Sequence, residues 1–337
     1  MNKQKNRLTQ PWKLMMVAAL AALALSACGN ETNSVTKPSA SPEVSSNVEK
    51  AEVTENEASA VRMFKDWSGH DVELPNDPKR IIFHGETTGD LLALGIMPVG
   101  IMKASISGAV FEERMAVVED IGFPFNVEKA IALDSDLIIV ANNDEEQYQK
   151  LSKVAPTVTF DTFATLPERM ATLGELLGKE KEAQEWLEKY KQQETEMWKS
   201  LRASGISDEE TASVITFYPG NRLFIMLAAG LPQLLYSEGG FKMTEPIKNS
   251  MSEGVGFVEI SMEKLPEFVG DRIFVLTPES EEAKGDTKAL IDSALWKGLP
   301  AVKNGYVYEM PINKASSDAT SREWLVGELP KLMAKSQ

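Results

Sequence analysis

Cysteine is almost absent from the sequence. Cys28 stands alone, so no disulfide can form within the chain. Histidine is nearly as scarce, with only His70 and His84. A dedicated zinc or manganese carrier usually gathers several imidazoles, so a His-rich divalent-metal site is not expected. Positive charge is in deficit: 35 Lys and Arg face 50 Asp and Glu, for a formal net charge of −15. Four of the cations (Lys3, Lys5, Arg7 and Lys13) fall within residues 1–27, which carry no acid, so the remainder is more acidic still. Such a body excludes nucleic-acid binding, which needs clustered Lys and Arg against phosphate. There is no nucleophile elbow, no glycine-rich phosphate loop and no cluster of metal-ligating residues, which leaves little material for an enzyme. Long apolar runs are missing too. The one unbroken run, Leu14 to Leu25, falls well short of the ~20 residues a membrane-spanning helix requires.

That short run follows a basic segment and ends Leu25-Ser26-Ala27-Cys28-Gly29. A basic stretch, a short apolar stretch and small residues before a cut site make residues 1–27 a signal peptide. The last five residues resemble the lipobox of bacterial lipoproteins. The resemblance implies that Cys28 carries a diacylglyceryl thioether and begins the mature chain, anchored by acyl chains such as palmitate. Residues 28–61 are dominated by Ser, Thr, Asn, Glu, Pro and Ala. They bury too little apolar surface to offset the entropy of ordering, and read as a flexible tether. The folded body is therefore expected on the outer face of a cell membrane.

From residue 62 onward, short β-branched runs alternate with helical patterns. Residues 64–67 and 71–74 flank Ser68-Gly69-His70 as a hairpin. Strands are expected over 80–83, 98–102, 136–140 and 157–160, with helices over 88–94 and 147–153. The alternation predicts a parallel α/β lobe over 62–166. Residues 167–204 form a helical region. From Lys179 to Arg202 there is neither Gly nor Pro, and Ala183, Leu187, Tyr190, Met197 and Leu201 recur at helical spacing. A helix of that length would reach ~36 Å, enough to link two lobes. The α/β scheme then resumes over 205–337, with strands expected over 213–217, 223–226, 272–276 and 306–310. A helix is expected over 233–238 and another over 321–334, interrupted by Pro330. The fold class is thus α/β, with two lobes joined by one long helix and a ligand cleft between them.

The halves share an internal repeat. Asn126-Val127-Glu128-Lys129 leads to Asp136 and a strand; Ser261-Met262-Glu263-Lys264 leads to Asp271 and another. In each, a capping residue precedes Glu-Lys, and an Asp follows the Glu by eight positions. Either glutamate alone is explained by the helix dipole. At matched positions of two lobes they also make a symmetric acidic pair.

These blocks resemble the ferric-siderophore substrate-binding proteins of ABC importers. The likeness is carried by Leu74-Pro75, Pro78-Lys79-Arg80-Ile81-Ile82, the stretch Thr88 to Gly100, Val127 to Leu133 with Asp136 to Ile139, and Leu299 to Tyr308. It runs from about residue 63 to 330. The resemblance implies two α/β lobes with small hinge motion, a ferric siderophore as cargo, no cofactor, and no catalysis. It also implies that Glu128 and Glu263 pair with arginines of the ABC permease, and that the receptor works as a monomer.

The carboxyl ends of the strands, where ligands of such sheets sit, nominate His84, Lys103, Tyr218, Arg222, Thr277 and Asn313. Lys103 and Arg222 suit an anionic siderophore; Tyr218 and Phe163 would supply apolar walls; His84 reads better as a hydrogen-bonded structural residue. Ferric-hydroxamate binders carry Trp and Arg in the loop before the second-lobe helix. Leu227-Ala228-Ala229-Gly230-Leu231-Pro232 has neither, so the resemblance implies a ferric siderophore without specifying a hydroxamate. Haem or cobalamin as cargo, with Tyr218, Met226 or His84 near the metal, is the alternative within transport. A surface adhesin or sensor is the alternative outside it.

Overall fold

The computed structural model describes residues 61–251 and 255–334. The signal peptide, Cys28 and the tether up to residue 60 lie outside the described residues.

The described chain opens with a hairpin, β1 (Val61–Lys65) and β2 (Asp71–Pro75). It continues into β3 (Ile81–His84), α1 (Gly89–Ala93), β4 (Gly100–Ile101), β5 (Glu119–Asp120), α2 (Val127–Ala132), β6 (Leu137–Val140), α3 (Glu145–Leu151) and β7 (Thr157–Thr159). The five strands from β3 onward make one all-parallel sheet, ordered β5-β4-β3-β6-β7. Strands β3 and β6 are buried at every position. Continuous Ile, Leu and Val suit strands covered on both faces, which is why these runs do not alternate with polar residues.

Two helices follow, α4 (Leu166–Leu177) and α5 (Glu180–Ala203). Thr165 and Glu168 form a capping box at the start of α4, and Gly178 ends it in the left-handed conformation. The first half of α5 places Ala183 and Tyr190 in the core of the first lobe. Its second half places Met197, Trp198 and Leu201 in the core of the second. The helix is the expected strut, and its amphipathic stripe serves two cores in turn.

The second lobe comprises β8 (Thr211–Tyr218), β9 (Arg222–Met226), α6 (Pro232–Leu235), β10 (Lys242–Met243), α7 (Glu245–Met251), β11 (Phe257–Ile260), α8 (Leu265–Phe268), β12 (Arg272–Thr277), α9 (Glu281–Asp292), α10 (Ala294–Gly298), α11 (Pro300–Lys303) and β13 (Val307–Pro311). Its sheet runs β11-β9-β8-β12-β13, with β10 beside β8. The sheet is mixed where the sequence pattern suggested a parallel one. Strands β8 and β9 form an antiparallel hairpin through Pro219-Gly220-Asn221. Gly220 and Asn221 both adopt positive φ, which lets the chain reverse in so few residues. The helix expected over 233–238 is confined to α6, because the chain turns at Gly239, where Phe241 N–H donates back to the Leu235 carbonyl.

The final helix, α12 (Ala319–Ala334), does not stay within the second lobe. Ala319 sits in the core of the first lobe, and Leu325, Leu329 and Met333 in that of the second.

Candidate functional site

Both sheets turn the carboxyl ends of their strands toward a shared cleft of about 570 Å³. The first lobe contributes Glu86 and Thr87 after β3, Ser105 after β4, and Thr162 and Phe163 after β7. The second contributes Tyr218 at the end of β8, Glu279 after β12, and Asn313 with Ser316 and Ser317 after β13. Strand order in the first lobe reverses at β3, the point where open α/β sheets bind ligands. The volume suits a compact organic chelate. Phe163, Phe217, Tyr218 and Phe257 supply aromatic walls, and hydroxyls and carboxylates make up most of the polar lining. Thr87 is 1% exposed, and its hydroxyl has no hydrogen-bond partner among the described residues. A larger crevice of about 780 Å³ runs along α5, framed by α4, α5 and α6, and meets the first cavity at Phe163. Position at the ends of both sheets favours the first cavity as the site.

The lobes meet at the edges of this cleft. Asn313 Nδ2 donates to the Ser107 carbonyl at 2.6 Å. Gly108, at φ +70°, leaves room for it: a β-carbon there would lie 2.9 Å from Asn313 Nδ2. Below Ser316 and Ser317 the lobes are joined by buried charge. Asp90 of α1 pairs with Arg169 of α4 at 2.9 Å, both side chains fully buried. The other Asp90 oxygen accepts the Ala319 N–H, and Arg169 donates to the Ser317 carbonyl. Gly89 lies so close to Asp318 that a β-carbon would fall 1.9 Å from its Oδ1. Further along α12, Arg322 donates to Tyr190 Oη and pairs with Glu194 at 3.3 Å. None of this clasp was expected, because its members are spread from residue 90 to 322. The faint signal was Asp90 and Arg169, charged residues inside the largely apolar stretches that form α1 and α4.

The residues nominated from sequence divide into two groups. Tyr218, Asn313 and Phe163 line the cleft. Lys103, Arg222, Thr277 and His84 do not. Lys103 Nζ donates to the Ala116 carbonyl, and its backbone N–H is held by Asp120. Arg222 pairs with Glu259 across the β9–β11 ladder at 2.7 Å and lies over the Phe224 ring. That neighbouring carboxylate raises its already high pKa. Thr277 borders an adjoining hollow that shares Glu279 and Asn313 with the cleft and is lined by Lys284 and Lys314. His84 is 4% exposed and its Nε2 bonds the Gly122 carbonyl. Burial lowers its pKa and keeps the ring neutral. Position in the chain brought these four near strand ends; side-chain direction took them elsewhere.

Glu128 and Glu263 are both exposed, and neither makes an ion pair among the described residues. Asn126 caps α2 as expected, accepting the Lys129 N–H at 3.0 Å. Ser261 makes no such bond to the backbone. The segment after it is a single 3₁₀ turn, Met262–Lys264, and the helix proper starts only at Leu265 with Pro266 in its first turn. The Ser261 hydroxyl instead faces the Glu263 carboxylate, which its own N–H and that hydroxyl hold below the usual carboxylate range.

Residues 84–313 match the family model described as Periplasmic binding protein. The chain belongs to this family. The Iron(3+)-hydroxamate-binding protein FhuD of Bacillus subtilis is 32% identical over 319 residues, covering 92% of each chain. The Probable siderophore-binding lipoprotein YfiY of the same organism is 28% identical, covering 88% of this chain and 89% of its own. Among solved structures, Staphylococcus aureus SirA complexed with staphyloferrin B superposes with a TM-score of 0.72 at 26% identity, over 82% of this chain and 100% of that one. Members of the periplasmic binding protein family are substrate-binding components of transporters, not enzymes, and they carry a transported ligand in place of a cofactor.

Proposed function

We propose that this chain is the lipid-anchored receptor of an ABC importer, capturing a ferric siderophore between its lobes and delivering it to the permease. The observation that carries the reading is the cleft at the carboxyl ends of both sheets. Its support is the naming of relatives that span nearly the whole chain for iron(3+)-hydroxamate and siderophore binding. Tyr218 and Phe163 supply stacking surface, and Asn313 a polar contact that also spans the lobes. The chelate, not the protein, holds the iron.

Glu128 and Glu263 dock the permease, one from each lobe. Both carboxylates are exposed and free of ion pairs among the described residues, and charges at such a rim set register and association rate more than affinity. Cys28 carries the acyl anchor, as one relative's naming as a lipoprotein favours. Among the described residues no helix is long and apolar enough to cross a membrane. The receptor acts as a monomer.

Calorimetric titration of the purified chain with ferric chelates, haem and cobalamin tests the cargo. Saturable heat with a ferric chelate and none with haem or cobalamin is expected; the reverse pattern would transfer the cargo to a tetrapyrrole. Joint substitution E128A and E263A is expected to leave binding intact and abolish uptake by cells. Undiminished uptake would remove these residues from docking.

A further inference from the structure

The cleft lining contains two charged residues, Glu86 and Glu279, and no Lys, Arg or His among the described residues. Glu86 follows β3 and Glu279 follows β12, so one carboxylate stands on each lobe. Both are exposed, and among the described residues neither is in an ion pair. Their hydrogen bonds come from neutral donors only: Thr162 Oγ1 reaches Glu86 at 3.5 Å, and Asn313 Nδ2 donates to Glu279. The nearby cations have other partners among the described residues. Arg222 is held by Glu259, Lys284 by Glu281, Lys103 by the Ala116 carbonyl, Lys314 lies over the Trp324 ring at 5.9 Å, and Arg169 lies fully buried against Asp90.

A cavity walled by aromatic rings and hydroxyls, with negative charge on both sides, repels a polyanionic chelate and attracts a cation. The strongly acidic body adds to that field at long range. We infer that the cleft selects chelates bearing a positively charged amine over neutral ones, and excludes polyanions, with Glu86 and Glu279 as the residues that set this preference. The inference rests on the siderophore-receptor reading above and narrows it. A catecholate or citrate complex of iron carries negative charge with no partner here, whereas a ferric trihydroxamate with a free terminal ammonium presents its one surplus charge to the two glutamates.

The test is calorimetry on the full chain in detergent with three probes: a linear ferric trihydroxamate bearing a free terminal amine, the same chelate with that amine acetylated, and a ferric tris-catecholate. The amine form is expected to bind about fivefold to tenfold more tightly than the acetylated form, the range for one or two partly exposed ion pairs. The gap should shrink in high salt. The tris-catecholate should give no saturable heat. In the E86Q, E279Q double variant the two trihydroxamates should bind alike. Both substitutions are exposed and near-isosteric, and a circular dichroism melt verifies the fold. Equal affinity of the two trihydroxamates for the native chain would overturn the inference while leaving the receptor reading in place. So would a preference that survives the double substitution, or tight binding of the tris-catecholate. Failure of every chelate to bind would instead overturn the receptor reading, and the charge preference with it.

Discussion

Asp136 and Asp271 do the same work in the two lobes. Each stands just before a strand, β6 or β12, and each carboxylate receives the backbone at the start of the adjacent central strand. Asp136 accepts the N–H groups of Lys79 and Arg80 at 2.7 and 2.8 Å. Asp271 accepts the Thr211 N–H and hydroxyl, both at 2.8 Å. The repeated Asp thus fixes the register of parallel strands that the chain brings together from far apart. Asp136→Ala and Asp271→Ala should each cost about 1.5–3 kcal/mol, the range for hydrogen bonds to a charged group. Their costs should add, since the sites share no partner. Urea denaturation of the single and double variants measures this; a loss near zero at both sites would remove the carboxylates from register setting.

Arg169→Met should be far more damaging. It would strand Asp90 in a fully buried setting beside Asp318, and breaking one half of a buried pair costs about 3–5 kcal/mol. A shift of the urea midpoint equivalent to less than about 1 kcal/mol would contradict the view that this ion pair joins α12 to the first lobe.

The two histidines should respond to pH with opposite signs. His70 sits between Asp66, 2.9 Å from Nδ1, and Glu145, 3.0 Å from Nε2, and its ring stacks on Tyr148. The Asp66 hydrogen bond, with help from Glu145, raises its pKa. Its stabilisation is complete below the unfolded value of about 6.5 and is lost as pH rises through the higher folded value. For His84, burial lowers the folded pKa. Its contribution is complete above about 6.5 and is lost as pH falls through the lower folded value. Imidazole titration by NMR should place the His70 midpoint above 6.5 and the His84 midpoint below; a common midpoint would sink both assignments.

Asp318 is fully buried, and burial, reinforced by Asp90, pushes its pKa up to about 6. One oxygen accepts the Ser321 N–H and the other has no partner among the described residues. A raised carboxyl pKa means that the folded state binds the extra proton, so this group favours the fold increasingly as pH falls through about 6. Asp318→Asn removes the buried charge and keeps the Ser321 bond. The variant should melt higher than the native chain at pH 7, with the advantage fading by pH 5. A constant difference across that range would refute the titration.

Much of this protein was legible because it is written locally. Gly- and Pro-free periodicity over 179–202 set the linking helix, since a 3.6-residue stripe needs no distant partner to be recognised. Buried β-branched runs set β3, β6, β8 and β12. Short or exposed elements were not legible. Strands β5 and β10 have two residues each, and α9 buries only Ala283, Thr287 and Leu290, of which just one is large and apolar. Their existence depends on a neighbour, not on a pattern.

What the sequence determined by itself was the two-lobe plan, the strut, and the paired positions of Glu128 with Glu263 and Asp136 with Asp271. What tertiary structure alone decided was the character of the cleft. Lys103 and Arg222 looked available to an anion until β9 met β11 and Glu259 took Arg222. Asp318 is buried near Asp90 only because α12 returns to the first lobe. Charge in a cleft depends on which partner each long side chain reaches, and those partners lie tens to hundreds of residues away, where no local pattern records them.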